Sequence, residues 1–136
     1  MSEQNKAVVR RWTEVWNGAD PSLLHDLATE DIHFRSSGIP ASRGIDGLAQ
    51  VIHDLRAAFP DGAFTNDELV AEGDTVVNRW TFRGTQQGEW MGQPASGRKV
   101  EITGTATNHL RGGKIAEQLT DWDAMAMMQQ LGAIEM

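Results

Sequence analysis

The sequence contains no cysteine and no tyrosine. The first absence excludes disulfides and thiolate chemistry, and it restricts any zinc ligand to His, Asp or Glu. It also fits a reducing cytoplasm, the expected location. The second absence removes the phenol as an acid or oxyanion donor. Basic residues are few: 12 Lys and Arg stand against 19 Asp and Glu, a formal charge of −7. Nucleic acid and anionic membranes are therefore not expected as partners, because phosphate binding needs a basic stripe. The pairs Arg10-Arg11 and Arg98-Lys99 are too small to make one. No apolar run approaches the roughly 18–20 residues of a membrane span. The start, MSEQNKAVV, lacks the charged head and apolar stretch of a signal peptide.

What is present is a chain of 136 residues with five Trp and four Phe. That length predicts one domain, residues 1–136, large enough for a core and an internal pocket. The five indoles supply large flat surfaces, each with one N–H. They are either core or the lining of a cavity for a planar apolar ligand.

Periodicity reads as helices first, then strands, then a short helix. Ser2 caps a helix from Glu3 that carries Val8, Trp12, Val15 and Trp16 on one face and ends at Asn17-Gly18. Asp20-Pro21 opens a short second helix through Leu27. A short strand is expected over Asp31–Arg35, closed by Ser36-Ser37-Gly38 and Pro40. A third helix spans about Asp46–Phe59 and stops at Pro60-Asp61-Gly62. The period then becomes two. Strands are expected over Phe64–Glu72, Thr75–Gly84, Arg98–Arg111 and Lys114–Asp123. Residues 85–97 form a long loop between the second and third of these, and Gly112-Gly113 forms a tight hairpin. A helix over Ala124–Leu131 closes the chain. Helices ahead of antiparallel strands predict an α+β fold: a strongly curved sheet covered by the N-terminal helices, making a hollow cone.

The chemistry is constrained by what is missing. There is no nucleophile-elbow motif and no phosphate loop, and Gly84–Gly92 lacks dinucleotide spacing. His25, His33, His53 and His109 never pair at i+2 or i+4, so no local metal motif exists. On the last strand, alternation puts Lys114, Ala116, Gln118, Thr120 and Trp122 on one face. Ile115, Glu117, Leu119, Asp121 and Asp123 then fall on the other. Asp121 reaches the Thr120 face only through a bulge. A carboxylate inside an apolar cone would be a usable acid or base near neutral pH. Asp123, just before Ala124, is read as a helix cap. His33 and Arg35 share a face of the first strand, either exposed at an edge or turned into the cavity.

Four segments together carry a family resemblance: NKAVVRRWTEVWNGAD, RAAFPD, VAEGDTVVNRWTFRGTQQGEWMGQPASGRKVEITG and GGKIAEQLTDWDAMAMMQQLGAI. In their order and spacing the chain resembles the SnoaL-like polyketide cyclases, a branch of the nuclear transport factor 2-like superfamily. The resemblance implies the cone fold, frequent homodimers through the outer sheet face, and cofactor-free aldol ring closure by an acid/base Asp on the last strand, helped by histidine. That strand commonly reads Glu-His-Trp-Asp-x-Trp-Asp in the family. Here it reads Glu117-Gln118-Leu119-Thr120-Asp121-Trp122-Asp123, so Thr120 stands at the aspartate and Gln118 at the histidine. A further family histidine falls at about Ala106.

The resulting expectation is a cofactor-free enzyme of cyclase, isomerase or lyase type acting on a hydrophobic cyclic or polyketide-like molecule. Asp121 and His33 are the catalytic candidates. Trp12, Trp16, Arg35, Trp90, Asn108, Gln118, Thr120 and Trp122 are the ligand-binding candidates. No metal is expected. The alternative is a binding or accessory dimer domain of the same fold without catalysis.

Overall fold

The computed structural model describes residues 2–134. Helix α1 (Ser2–Trp16) leads through a 3-10 turn (Pro21–Leu23) and the single-turn α2 (Leu24–Leu27) into strand β1 (Ala28–Ser36). Strand β2 (Ile39–Arg43) and helix α3 (Gly44–Ala58) follow. Then come β3 (Ala63–Glu72), β4 (Thr75–Thr85), β5 (Lys99–Arg111), β6 (Lys114–Trp122) and α4 (Ala124–Gln130). The six strands form one sheet in the order β2-β1-β6-β5-β4-β3. This is the expected α+β cone of helices on a curved sheet.

Two features depart from the sequence reading. Ile39–Arg43 is a strand rather than part of a closing loop, hydrogen-bonded to β1 alone at the sheet edge. Pro40 is tolerated there because an edge strand has one side without ladder bonds. The sheet is also not wholly antiparallel, since β1 runs parallel to β6.

A third difference is local. The β5–β6 register slips between His109↔Glu117 and Leu110↔Ile115, which leaves Ala116 as an extra residue. A bulge of this kind resets the phase of the strand. Ile115 therefore joins Gln118 on the buried face instead of opposing it. Beyond the bulge the alternation runs unbroken through Thr120↔Ala106 and Trp122↔Gly104, so no second bulge turns Asp121 inward.

The core comprises two adjoining apolar clusters. One joins α1, α2 and α3 to β1 through Val9, Trp12, Leu24, Ile32 and Leu48. The other joins α3 and α4 to β4 and β5 through Phe59, Trp80, Phe82, Ile102 and Met127. Caps agree with the sequence: Asp123 accepts a hydrogen bond from the Ala126 backbone N–H at 2.9 Å, and Asp20 accepts one from Ser22 N–H at 2.9 Å. The Ser22 backbone N–H, and after it the Ser22 hydroxyl, hold the Asp20 carboxyl below its ordinary pKa.

Candidate functional site

A cavity of about 80 Å³ lies between α1, α3 and the concave face of the sheet. Its lining is predominantly apolar, as is common in pockets that take small molecules. All five tryptophans line it, from α1 (Trp12, Trp16), β4 (Trp80), the β4–β5 loop (Trp90) and β6 (Trp122). Aromatic packing steadies the wall: Trp16 sits 5.7 Å from Phe34 and Phe64 between ring centroids, and Phe64 sits 5.0 Å from Trp80. Gly104 makes room for this arrangement. A Cβ there would stand 2.3 Å from the Trp80 ring, so any side chain would drive that indole into the cavity.

Among the described residues twenty line the cavity, and none of them is Asp, Glu, His, Lys or Arg. Its polar groups are the hydroxyls of Thr13, Ser36 and Thr120, the amides of Asn66, Asn78 and Gln118, and indole N–H groups. The amides form a chain across the sheet. Trp12 Nε1–H donates to Gln118 Oε1 at 3.2 Å, and Gln118 Nε2 donates to Asn108 Oδ1 at 2.7 Å. Asn108 Nδ2 donates to both Val76 O and Asn78 Oδ1 at 2.9 Å. Asn78 Nδ2 then donates to Asn66 Oδ1, and Asn66 Nδ2 to Thr13 Oγ1, each at 3.0 Å. Thr13 ends the chain on Val9 O at 3.1 Å. Burying so many amides is tolerable because each finds a partner.

The loop expected over 85–97 is tightly stapled. Gln86, with no exposed surface, accepts from Ser96 Oγ at 2.7 Å and donates to Gln93 O at 3.0 Å. Trp90 and Gln93 exchange backbone bonds of 2.9 Å around Met91 and Gly92, whose φ angles are 51° and 78°. This tight turn sets the Trp90 ring against Phe59, and its buried Nε1–H has no partner among the described residues.

Of the residues singled out by sequence, Trp12, Trp16, Trp90, Gln118, Thr120 and Trp122 line the cavity. Asn108 does not. It is fully buried one layer behind, where it braces Gln118 and Asn78. The charged candidates do not enter the cavity: Asp121 stays on the face opposite Thr120, and of the two placements open to His33 and Arg35 the outward one is found, so a catalytic or ligand-binding place for them inside the cone is corrected. Asp121 is exposed on the convex face and lies 3.4 Å from Ser37 Oγ. Arg35 is exposed on the same side. His33 alternates with the buried Ile32 and Phe34, so it too points outward, with Nδ1 3.7 Å from Glu117 Oε2. His109 approaches the other Glu117 oxygen at 3.9 Å. The physical reason is the alternation of β1 over Ile32–Arg35 and of β6 beyond its bulge.

Sequence reasoning missed Thr13, Asn66 and Asn78. The available signal was Asn78 itself, a lone amide in phase with Val76, Trp80 and Phe82 on an otherwise apolar strand face.

The family model described as SnoaL-like polyketide cyclase matches residues 6–131. Among solved structures, IdmH from Streptomyces antibioticus, a candidate polyketide cyclase, is 31% identical with a TM-score of 0.83. That match covers 95% of this chain and 99% of that one. TsrD from Streptomyces laurentii is 29% identical with a TM-score of 0.88 and 97% coverage of each chain. A candidate SnoaL-like polyketide cyclase from Jannaschia sp. CCS1 is 24% identical with a TM-score of 0.90. It covers 98% of this chain and 95% of that one, and at that identity it speaks to fold alone. A search of curated proteins finds no match.

Proposed function

The chain belongs to the SnoaL-like polyketide cyclase family, and from that premise we propose that its cavity binds a neutral, hydrophobic, cyclic or polyketide-like molecule and promotes ring closure or isomerisation without a cofactor. One observation carries the reading: a cavity walled by five indoles with no ionisable side chain among the described residues that line it. A charged ligand would meet no counter-ion there, and burying it unpaired would be costly. A flat neutral one stacks on the indoles.

The same observation reshapes the chemistry. The acid/base pair that the family resemblance implies is absent from the lining, with Thr120 and Gln118 in its place. Rate acceleration then rests on holding the reacting carbons of one substrate close together and on hydrogen bonds to a carbonyl whose oxygen gains charge as an enolate or aldolate forms. Asp121 and His33, on the convex face, have no part in this reading.

A second reading, binding without conversion, draws on the same neutral lining. The two are separated with 1-phenylhexane-1,5-dione, which closes by intramolecular aldol reaction and loss of water to 3-phenylcyclohex-2-enone. Tryptophan quenching measures binding and enone absorbance measures closure. Enone formation above the buffer rate supports catalysis. Saturable quenching with unchanged diketone supports binding alone, and absence of quenching removes both.

The reading includes a homodimer through the convex face. Its support is a cross-strand row of Val70, Val77, Thr107 and Leu119, in which Val70 is 57% exposed. Sedimentation of wild type against Val70→Lys tests it: a dimer that dissociates in the variant is expected, and a wild-type monomer at micromolar concentration rejects it.

A further inference from the structure

The amide chain has a direction, and that direction determines what the cavity offers a ligand. Amide oxygen and nitrogen are ordinarily interchangeable by a flip. Here each orientation is set by a neighbour that cannot reverse. The Trp12 indole is only a donor, so it must meet Gln118 Oε1. Val76 O is only an acceptor, so it must meet Asn108 Nδ2. Asn108 Oδ1 is thereby turned to Gln118 Nε2, and Asn108 Nδ2 orients Asn78, which in turn orients Asn66.

The remaining hydrogen-bonding capacity is uneven. All four amide oxygens already accept one N–H, and leaving an oxygen's second lone pair unused costs less than leaving an N–H without an acceptor. Asn108 has used both of its hydrogens. Gln118, Asn78 and Asn66 have each used one of two, and these three line the cavity. The Trp90 Nε1–H is a fourth donor, in a residue 8% exposed, with no partner among the described residues. The hydroxyls of Ser36 and Thr120 rotate to suit either role.

We infer that this relay sets the polarity of the site: it presents unpaired N–H donors to the cavity and selects ligands that offer hydrogen-bond acceptors, such as ketones, quinones and esters, over ligands that offer only a donor. Asn108 is the positioning residue of the set. It reaches no ligand, yet it orients two of the three amides that do. A donor-only ligand finds only the second lone pairs of oxygens that already accept an N–H, and it leaves the spare N–H groups buried and unsatisfied. This inference rests on the proposed binding role of the cavity and adds the chemical class of what it takes.

Three rigid tricyclic isosteres supply the test. Fluorenone carries an acceptor, carbazole a donor, and fluorene neither; all are flat, neutral and alike in size. Affinities for the wild-type protein are read by tryptophan quenching, and the bound fluorenone carbonyl by infrared difference spectroscopy. Fluorenone is expected to bind at least about tenfold more tightly than carbazole, the size of one unmade hydrogen bond in a buried site. Its carbonyl stretch should fall below the value in hexane. Equal affinity, tighter carbazole binding, or an unshifted carbonyl overturns the donor inference while leaving the cavity a binding site. Failure of all three to bind overturns the binding reading as well. Asn66→Asp turns the last amide donor into an acceptor that still receives Asn78 Nδ2. It should narrow the gap between fluorenone and carbazole, and an unchanged gap counts against the relay.

Discussion

Replacing Gln118 by Glu changes one nitrogen to oxygen and sets the whole relay against an ionised group. Gln118 is 4% exposed. In Gln118→Glu one carboxyl oxygen inherits the Trp12 N–H, and the other faces Asn108 Oδ1 across a contact of 2.7 Å. Asn108 cannot turn its nitrogen towards the newcomer, because that nitrogen holds Val76 O and Asn78 Oδ1. The carboxyl therefore keeps its proton and donates it to Asn108. Burial and the opposing oxygen both raise its pKa, and the Trp12 N–H offsets part of the rise. A net increase of about 3, from roughly 4.3 to roughly 7, lies inside the range seen for buried carboxyls. Because the folded pKa is the higher one, the folded state holds a proton that the unfolded chain releases between those values. Stability relative to wild type is then intact below about pH 4. It falls by about 1.4 kcal/mol per pH unit above that, and the loss reaches about 4 kcal/mol by pH 7.5. For a chain of this length that is on the order of 10–20 °C in Tm. Thermal unfolding of both proteins at several pH values between 4 and 7.5 measures it. A Tm difference that does not grow with pH would refute the claim that Asn108 is locked with its oxygen towards position 118.

Gly104→Ala should lower stability by about 1–3 kcal/mol through overpacking against Trp80; urea unfolding measures the loss, and a neutral substitution would mean the indole has somewhere else to go. Asp121→Asn should leave fluorenone affinity and any diketone closure unchanged, because the side chain lies on the convex face; a tenfold loss of either would return it to the site. Asp61 accepts the Thr85 backbone N–H at 2.7 Å and its hydroxyl at 2.8 Å, and these bonds, the backbone one foremost, lower its pKa. Its contribution is present above the unfolded carboxylate pKa and is lost as pH falls through the folded value, so Asp61→Asn should differ from wild type in Tm at pH 6 and converge with it towards pH 2. A constant gap would contradict the assignment.

Much of the fold was legible because the sequence changes period from 3.6 to two near Gly62, and the four strands after that point show in the pattern, while β1 was read ahead of it from its closing turn. The unread strand, Ile39–Arg43, is short, contains Pro40 and is mostly exposed, so it carries neither an apolar alternation nor a β-rich composition. What makes it a strand is β1 alongside it, and that is tertiary. The bulge at Ala116 was equally invisible. Lys114-Ile115-Ala116-Glu117 alternates acceptably in either phase, and only the pairing with Leu110 decides it. In the site, the tryptophans were readable from composition. The relay was not, because its members come from α1, β3, β4, β5 and β6, and nothing local distinguishes an amide that braces another from one at the surface.

The relay also bears on whether the neutral cavity is a working site or the remnant of one. Loss of a single charged group from a buried network ordinarily strands its former partners, each costing about 1–3 kcal/mol. Here no amide is stranded: Gln118, Asn108, Asn78 and Asn66 interlock from the indole of Trp12 to Val9 O. Five elements must supply complementary residues for that to hold, so the amide at 118 belongs to a coordinated set and does not stand as an isolated replacement. A collapsed remnant would fill with side chains, and this cavity keeps about 80 Å³ open. Among the described residues, the Trp90 indole nitrogen makes no hydrogen bond at all, and it sits in a loop stapled by Gln86. An unsatisfied donor held in place at a cavity wall is what a site has when the missing partner is the ligand's acceptor.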